Sequence, residues 1–433
     1  MTLSVAIVGS GPAGFYAADS LLKKLPDCRI DIIERLPTPF GLVRSGVAPD
    51  HQSTKNVTRV FEKVLDKPTV RFVGNIELGR DLGYDELKAA YDIVILALGA
   101  QAPRRLGIPG EDLAGVCDVV DFVGWYNAVP GAPDCGHYLD ARQAIVVGNG
   151  NVAIDIARLL ARSAAELAQS DVAPAAERAL LAAPITDIYL VGRRGALDAN
   201  FTFQELAELG EMERAVPLID PGDLPAADQV QGLDKKPARN LEVLRGFAGN
   251  DPNAKPVRIH LCFRAAPAAV LGKSRMTGVR FARTRVDQSK AVPTGETFDV
   301  DAQLLVPAIG YRVAPVAGLP IDQQGGIVAN RDGLVEPGVY VVGWAKRGPS
   351  GVIGTNRNDS GEVVDRIIAA NLKATKPGAD ALDRIVAKRR LRPVATADWR
   401  RIDQAERAAG NARPRRKIER VQDMIDLLES APA

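Results

Sequence analysis

Short, continuous apolar runs recur along this chain, and the clearest of them break at glycine before a helix-like stretch begins. Val5-Ala-Ile-Val8 has no polar position, which reads as a strand buried on both faces of a parallel sheet. It passes through Gly9-Ser-Gly11-Pro-Ala-Gly14 into Ala13–Leu25, which has helical spacing, and Arg29-Ile-Asp-Ile-Ile-Glu34 reads as the next strand. The same grammar returns in Ala144-Ile-Val-Val147, then Gly148-Asn149-Gly150-Asn151-Val152-Ala153, then the strand Asp187-Ile-Tyr-Leu-Val191. An Ala-rich helical stretch near Ser163 to Leu181 fills the interval. Tyr91–Ala100 and Gln303–Gly310 read as strands that close the first and second units, and Gly338–Trp344 as a further buried strand.

The pattern predicts an α/β fold: two Rossmann-like dinucleotide-binding domains, one inserted into the other. The outer domain spans 1–102 and 311–433, and the inner one 103–310, with redox centres expected at the crevice between them. A length of 433 residues suits two cores better than one. Residues 217–256, rich in Pro, Gly and Asp, read as loops around a short strand, Leu241–Leu244. From Ala379 onward the chain is helical and highly charged. Ile418, Val421, Ile425 and Leu428 fall at helical spacing, which predicts a helix docked on the body.

Each glycine turn has its own chemistry. In the first, Gly9 permits the tight turn, Gly11 lets the backbone approach a pyrophosphate, and Gly14 lets helix and strand pack closely. The helix then aims its N-terminal amides at the phosphates. Glu34 follows Gly14 at the ~20-residue spacing of a ribose-binding carboxylate. It favours ribose hydroxyls and repels a 2′-phosphate, so this site suits FAD or NAD. In the second motif Ala153 replaces the third glycine, a variant often seen with NADP. The next strand ends in Gly192-Arg193-Arg194-Gly195, at about twice the usual ~20-residue distance. Guanidiniums bind phosphate through charge-assisted, bidentate hydrogen bonds. Arg193 and Arg194 therefore point to the 2′-phosphate of NADP(H). Two redox nucleotides on one chain imply electron transfer between them.

Composition narrows the rest. A hydrophobic share of 46% and a charged share of 25% are those of an ordinary globular protein. A net charge of +2 gives no global attraction to nucleic acid or membrane, so electrostatic docking must come from a local patch. The cysteines, Cys28, Cys117, Cys135 and Cys262, form no C-x-x-C, and there are only 3 histidines. No metal site or close-spaced redox dithiol is expected. The N-terminus lacks signal-peptide features and no apolar stretch reaches ~18 residues, so a cytoplasmic protein without membrane insertion is expected.

Longer segments carry a resemblance. Pro37-Thr-Pro-Phe-Gly-Leu-Val-Arg-Ser-Gly-Val-Ala-Pro-Asp-His51, Phe122-Val-Gly-Trp-Tyr-Asn127 and Gly343-Trp-Ala-Lys-Arg-Gly-Pro-Ser-Gly-Val-Ile-Gly-Thr-Asn356 join the two glycine motifs and Val191–Gly195. Together they resemble the adrenodoxin-reductase-like ferredoxin–NADP reductases, including the bacterial branch, over nearly the whole chain. The resemblance implies FAD in the outer domain, NADPH in the inner one, and a small iron–sulfur ferredoxin as partner of a monomer. It implies that Gly9, Gly11, Pro12, Ala13, Gly14, Glu34, Leu42 and Ile76 contact FAD, and that Trp344, Gly351, Val352 and Ile353 hold the flavin ring. Gly148, Asn149, Gly150, Asn151 and Val152 carry the NADP pyrophosphate, with Arg193 and Arg194 on the 2′-phosphate. His51 and Glu205 sit beside nicotinamide and flavin as the catalytic candidates. Gly351 and Gly354 allow close approach to a flat ring, and a helix starting after Gly351 places positive potential near a reduced flavin.

Flavin accepts a hydride and gives up single electrons, which suits NADPH as donor and a ferredoxin as acceptor. A glutamate-synthase small subunit is an alternative, but it calls for a cysteine-rich N-terminal region that this chain lacks. A thioredoxin-reductase-like enzyme calls for a C-x-x-C. An NADP-sensing flavoprotein without turnover retains both fingerprints. Ferredoxins are acidic, so a basic docking patch is expected. Lys235, Lys236 and Arg239 are the preferred cluster. The others are Arg275, Arg280, Arg283 and Arg285; Lys388–Arg390 with Arg400 and Arg401; and Arg413 with Arg415–Lys417.

Overall fold

The computed structural model describes residues 2–226, 230 and 232–430. It has two compact units. The first comprises Met1–Ala102, Asn127–Gly131 and Gly310–Ala433, and the second Pro103–Tyr126 and Ala132–Ile309.

The sheet of the first unit has the strand order Leu334–Glu336, Val339–Val341, Ile93–Leu96, Ser4–Val8, Arg29–Ile33, Val70–Val73. All neighbours are parallel except the first two strands. The first strand explains its own lack of polar positions. Val5 and Ile7 enter a core with Phe15, Phe61 and Trp399, while Ala6 and Val8 enter another with Leu87 and Val341. Both faces are covered, so alternation would bury unpaired polar groups. The helix Pro12–Lys24 packs against Thr355–Ala369.

The C-terminal region forms helices Ala379–Arg389, Thr396–Gly410 and Val421–Glu429. Met424 is fully buried, and Ile418, Ile425 and Leu428 pack on the same core as Val5, with Ile418 ahead of the last helix. A buried ion cluster ties this region to the rest of the unit. Glu406 accepts from Arg44 Nη2 at 2.6 Å, from Arg415 Nη1 at 3.3 Å and from the Ile418 amide at 2.9 Å. Arg44 also lies over the Trp399 ring, 5.3 Å from its centroid. Lys417 Nζ donates to the carbonyl of Asn127 at 3.1 Å, within the short Asn127–Gly131 segment that belongs to this unit.

In the second unit the main sheet has the order Leu304–Pro307, Gln143–Val147, Asp187–Val191, Val257–Cys262, Ala215–Ile219, parallel throughout. Beside it stand three antiparallel strands, Ala265–Gly272, Met276–Asp287 and Lys290–Asp301. Val270, Met276, Val279 and Phe281 from these strands share a core with Ile145, Val147 and Leu305.

Two local expectations are corrected and a third is located more closely. Leu241–Leu244 is not a strand but part of a helix, Lys235–Phe247. Leu241, Leu244 and Phe247 are its buried apolar residues, at helical spacing, and the Pro at position 237 is tolerated in the first turn. Residues 227–229 and 231 of the expected 217–256 loop region lie outside the described residues. The Ser163–Leu181 stretch is two helices, Ala164–Leu167 and Pro174–Ala182, because Pro174 starts a new one. The helix expected after Gly351 begins at Thr355, following a turn in which the Val352 amide donates to Thr355 Oγ1.

All four cysteines are free. Burial pushes the Cys28 thiol up to about 11 and the Cys262 thiol up to about 12. Cys117 is raised by its contact with Cys135 and by burial; the two sulfurs are 3.7 Å apart. At neutral pH these raised thiols are protonated and poorly nucleophilic. No helix among the described residues is long and apolar enough to cross a membrane.

Candidate nucleotide-binding sites

In the first unit the turn after Ser4–Val8 is fixed by sterics. Gly9 has φ +108°, and a Cβ there would sit 2.2 Å from the Ala97 carbonyl oxygen. A Cβ on Gly14 would sit 2.2 Å from the Gly9 carbonyl oxygen. Above Gly11 the space is open. The helix begins at Pro12 with no side-chain cap, and the amides of Ala13 and Gly14 have no acceptor among the described residues. Two free amides beside an open glycine at a helix N-terminus form a cradle for a phosphate.

Glu34 ends the neighbouring strand, only 8% exposed. One oxygen accepts from Ser10 N at 3.0 Å and Ser10 Oγ at 2.7 Å, and the other from Leu36 N at 3.1 Å. A carboxylate has about four acceptor positions, so one remains, and the Ser10 hydroxyl can rotate to release another. Ile76 is buried behind Glu34 and its amide donates to the Glu34 carbonyl. Phe40 N donates to Ser10 O, which brings the Leu42–Ser45 helix over the turn and leaves Leu42 partly exposed.

The Gly343–Asn356 segment reaches the same place. A Cβ on Gly343 would lie 2.6 Å from the Ala13 Cβ. Asp359 is buried and holds this segment: Oδ2 accepts from Gly343 N at 2.6 Å and Oδ1 from Lys346 Nζ at 2.9 Å. Trp344 stacks with Tyr311, at 6.1 Å between ring centroids. The Ile353 and Gly354 amides have no acceptor among the described residues. Val352 is 60% exposed, an apolar side chain with nothing over it in the protein. The open cradle, the buried carboxylate and this apolar turn fit FAD.

In the second unit Gly148 (φ +147°) makes the corresponding turn, against the Ala308 carbonyl. The space above Gly150 is open, and the amides of Asn151 and Val152, at the start of helix Asn151–Ala161, have no acceptor among the described residues. Val147 pairs with Val191, and Gly148 N donates to Val191 O at 2.9 Å, so the chain leaves the next strand as Arg193-Arg194 beside the turn. Arg193 is exposed, and its guanidinium has no acidic partner among the described residues. Arg194 has only distant contacts with Asp198, 3.4 Å to the carbonyl and 3.7 Å to the carboxylate. The exposed Arg193 guanidinium and the loosely held one of Arg194 at this strand end fit a 2′-phosphate.

Asn149 lies across Gly192, where a Cβ would be 1.7 Å from its Nδ2, and its carbonyl accepts from Asn200 N and Phe201 N. Gly192→Ala should therefore evict the Asn149 side chain. The expected cost is ~1 kcal/mol, a roughly five- to tenfold higher Kd for NADP+ by titration calorimetry, with flavin content unchanged. An unchanged Kd would show that Asn149 has no part in holding the nucleotide.

His51 is half-buried at the start of the Gln52–Lys55 turn in the first unit. Glu205 stands in the first turn of helix Phe203–Glu211 in the second. Sequence reasoning missed Asp359 and Lys346, which hold the Trp344 segment, and Arg158, which donates to Glu205 Oε2 at 3.1 Å. The one available signal for Arg158 was an arginine on the apolar face of the helix that follows the second glycine turn.

Residues 3–188 match the sequence model of the pyridine nucleotide-disulphide oxidoreductase family. The chain is 41% identical to NADPH-ferredoxin reductase FprA of Mycobacterium tuberculosis, over 97% of this chain and 98% of that one. It is 39% identical to human mitochondrial NADPH:adrenodoxin oxidoreductase, over 99% of this chain and 92% of the other. The structure of Mycobacterium tuberculosis FprA in complex with NADPH superposes with a TM-score of 0.95 at 40% identity, covering 99% of this chain and 100% of that one. With about 40% identity to both reductases over 97–99% of its length, this chain belongs to the adrenodoxin-reductase-like family of ferredoxin–NADP(+) reductases.

Proposed function

We propose that this protein is an FAD-dependent ferredoxin–NADP(+) reductase that carries electrons from NADPH to a small iron–sulfur ferredoxin. The observation that carries the reading is the contrast between two otherwise similar cradles. One is flanked by a buried carboxylate, Glu34, and the other by the guanidiniums of Arg193, which has no acidic partner among the described residues, and Arg194, which has only long contacts with Asp198. The first favours an adenosine with free ribose hydroxyls and the second one with a 2′-phosphate. Bound FAD supplies the conversion of a hydride into single electrons.

The residues divide the work. Ala13, Gly14, Glu34, Leu42 and Ile76 bind FAD, and Trp344 with Gly351–Ile353 orients its ring. Asn149–Val152 bind the NADP pyrophosphate, and Arg193 and Arg194 select the 2′-phosphate. His51 and Glu205 orient the reacting groups or hold a proton beside them.

For the ferredoxin we assign helix Lys235–Phe247. Arg280, Arg389, Arg400 and Arg415 in the other basic clusters pair with Asp299, Glu86, Asp66 and Glu406. Lys235, Lys236 and Arg239 have no carboxylate partner among the described residues; Lys236 reaches the Asn200 carbonyl and Arg239 lies over Phe203. Unneutralised charge is what steers an acidic partner. The triple alanine variant should raise the KM for ferredoxin about five- to tenfold at low salt and flatten its salt dependence. Unchanged low-salt kinetics would remove this helix as the docking face.

The function itself is tested by anaerobic turnover with NADPH, a [2Fe–2S] ferredoxin and a trace of the flavin-loaded protein. Bleaching of the ferredoxin's visible band only when all three are present is the expected result. Reduced flavin beside a ferredoxin that stays oxidised would give the electrons another acceptor.

A further inference from the structure

Helix Asn151–Ala161 has the second glycine turn at its N-terminus and Arg158 about two turns further on, with a side chain that is 0% exposed. Its Nη2 donates to Asp155 Oδ1 at 2.9 Å, and Nη1 donates to Glu205 Oε2 at 3.1 Å and lies 3.0 Å from Glu208 Oε2. Asp155 is one turn back on the same helix; Glu205 and Glu208 are one turn apart on Phe203–Glu211. One buried cation thus joins the helix that would cradle the NADP pyrophosphate to the helix that presents Glu205.

The glycine turn and the chain leading into the Glu205 helix are joined a second time, through the main-chain amides of Asn200, Phe201 and Thr202. The Asn149 carbonyl accepts from the amides of Asn200 and Phe201, and Asn151 Oδ1 accepts from Thr202 N at 2.9 Å. Thr202 caps the Glu205 helix, its hydroxyl accepting from Glu205 N. The backbone of Glu205 is fixed to the glycine turn from one side and its carboxylate from the other. A carboxylate on a helix surface otherwise samples several rotamers. The planar guanidinium fork can serve acceptors on both helices at once, which an ammonium point charge does less well.

We propose that Arg158 is a positioning residue: it holds the Glu205 carboxylate at a set place relative to the Gly148–Gly150 turn, and so governs how fast NADPH reduces the flavin-loaded protein without setting the affinity for the nucleotide. The proposal rests on the reading of Glu205 as the carboxylate beside the nicotinamide. Hydride passes from NADPH to the flavin as in the proposed reaction, and Arg158 adds no step.

The test uses the full-length, flavin-loaded protein as wild type, Arg158→Met, Arg158→Lys, Glu205→Gln and the Arg158→Met/Glu205→Gln double variant. Single-turnover bleaching by NADPH gives the rate, calorimetry with NADP+ gives the Kd, and a crystal structure of Arg158→Met gives the place of the Glu205 side chain. Arg158→Met should slow reduction about 10- to 100-fold, the range for a group misplaced by an ångström, with Kd within about threefold and Glu205 displaced in the crystal. Arg158→Lys should recover part of the rate and stay several-fold below wild type, because the ammonium keeps the charge but loses the fork. Glu205→Gln should be as slow as Arg158→Met, and the double variant no slower than Glu205→Gln, because both remove one contribution. Normal reduction in Arg158→Met with slow Glu205→Gln overturns the positioning role. Normal reduction in Glu205→Gln overturns the reading of Glu205 on which it stands. Kd and rate lost in proportion, with no rescue by lysine, mark Arg158 as purely structural and also overturn it. Should Arg158→Met fail to fold, Arg158→Lys decides: a lower rate at constant Kd supports the proposal, and a wild-type rate overturns it.

Discussion

Replacing Arg193 and Arg194 together by alanine is expected to abolish the preference for NADPH over NADH. Both side chains leave the strand next to the Gly148 turn, and neither is engaged by a close acid. A hydrogen bond to a charged group contributes about 1.5–3 kcal/mol. Two arginines on one phosphate then give ~3–6 kcal/mol, or roughly two to four orders of magnitude in Kd. Arg194 must give up its contacts with Asp198 to bind, so the single Arg193→Ala change should cost more than Arg194→Ala. The measurement is the Kd of NADP+ and the efficiency of NADPH and NADH in flavin reduction. The double variant should lose NADPH efficiency while its NADH efficiency stays within about threefold. Equal losses for both nucleotides would move the arginines off the 2′-phosphate.

Glu406→Gln is expected to be the most destabilising conservative change in the first unit. Glu406 is fully buried, and Arg44 and Arg415 are mostly buried. Breaking a buried pair by neutralising one partner costs about 3–5 kcal/mol, because the other charge is left uncompensated. For a unit of this size that is a Tm lowered by roughly 6–20 °C. The helix Leu42–Ser45 carries Arg44 beside the first glycine turn, so flavin retention should fall with stability. The effect has a pH signature. Burial raises the Glu406 pKa, but Arg44, the Ile418 amide and Arg415 outweigh it and hold the group below its ordinary value of 4.5. A depressed carboxylate stabilises the fold above its ordinary value, and that contribution fades as pH falls through the folded value. The gap between wild type and Glu406→Gln should therefore be full at pH 6 to 8 and narrow below pH ~4. A gap that widened in acid would show that Glu406 is not the charged partner of these arginines.

What was legible in the sequence was local. The two strand–glycine–helix units follow from apolar runs and glycine spacing, because a parallel strand buried on both faces must be apolar and the turn must accept positive φ. The strand-end places of Glu34 and Arg193–Arg194 were legible too, Glu34 from its usual offset from the turn and the arginines, at about twice that offset, from the end of the next apolar run. The antiparallel sheet Ala265–Asp301 left a weaker signal. Its strands bury one face only, and Arg280 and Arg285 on the other are exposed and paired with acids. The helix Lys235–Phe247 was misread as loop and strand because proline and charge mask a buried stripe of Leu241, Leu244 and Phe247. The polar groups that hold the sites in place meet across long stretches of chain. Arg44 and Glu406, or Arg158 and Glu205, have no fixed spacing that would announce the pair. They became visible only when the fold brought them together.

The central claim is that one chain binds FAD at the Glu34 cradle and NADPH at the Arg193–Arg194 cradle. The most direct test is the visible spectrum of the purified protein during anaerobic titration with NADPH and, separately, with NADH. A flavin spectrum that bleaches at NADPH concentrations far below those of NADH is the predicted result. A protein that stays colourless after addition of FAD, or a bound flavin that NADPH does not reduce, would contradict it.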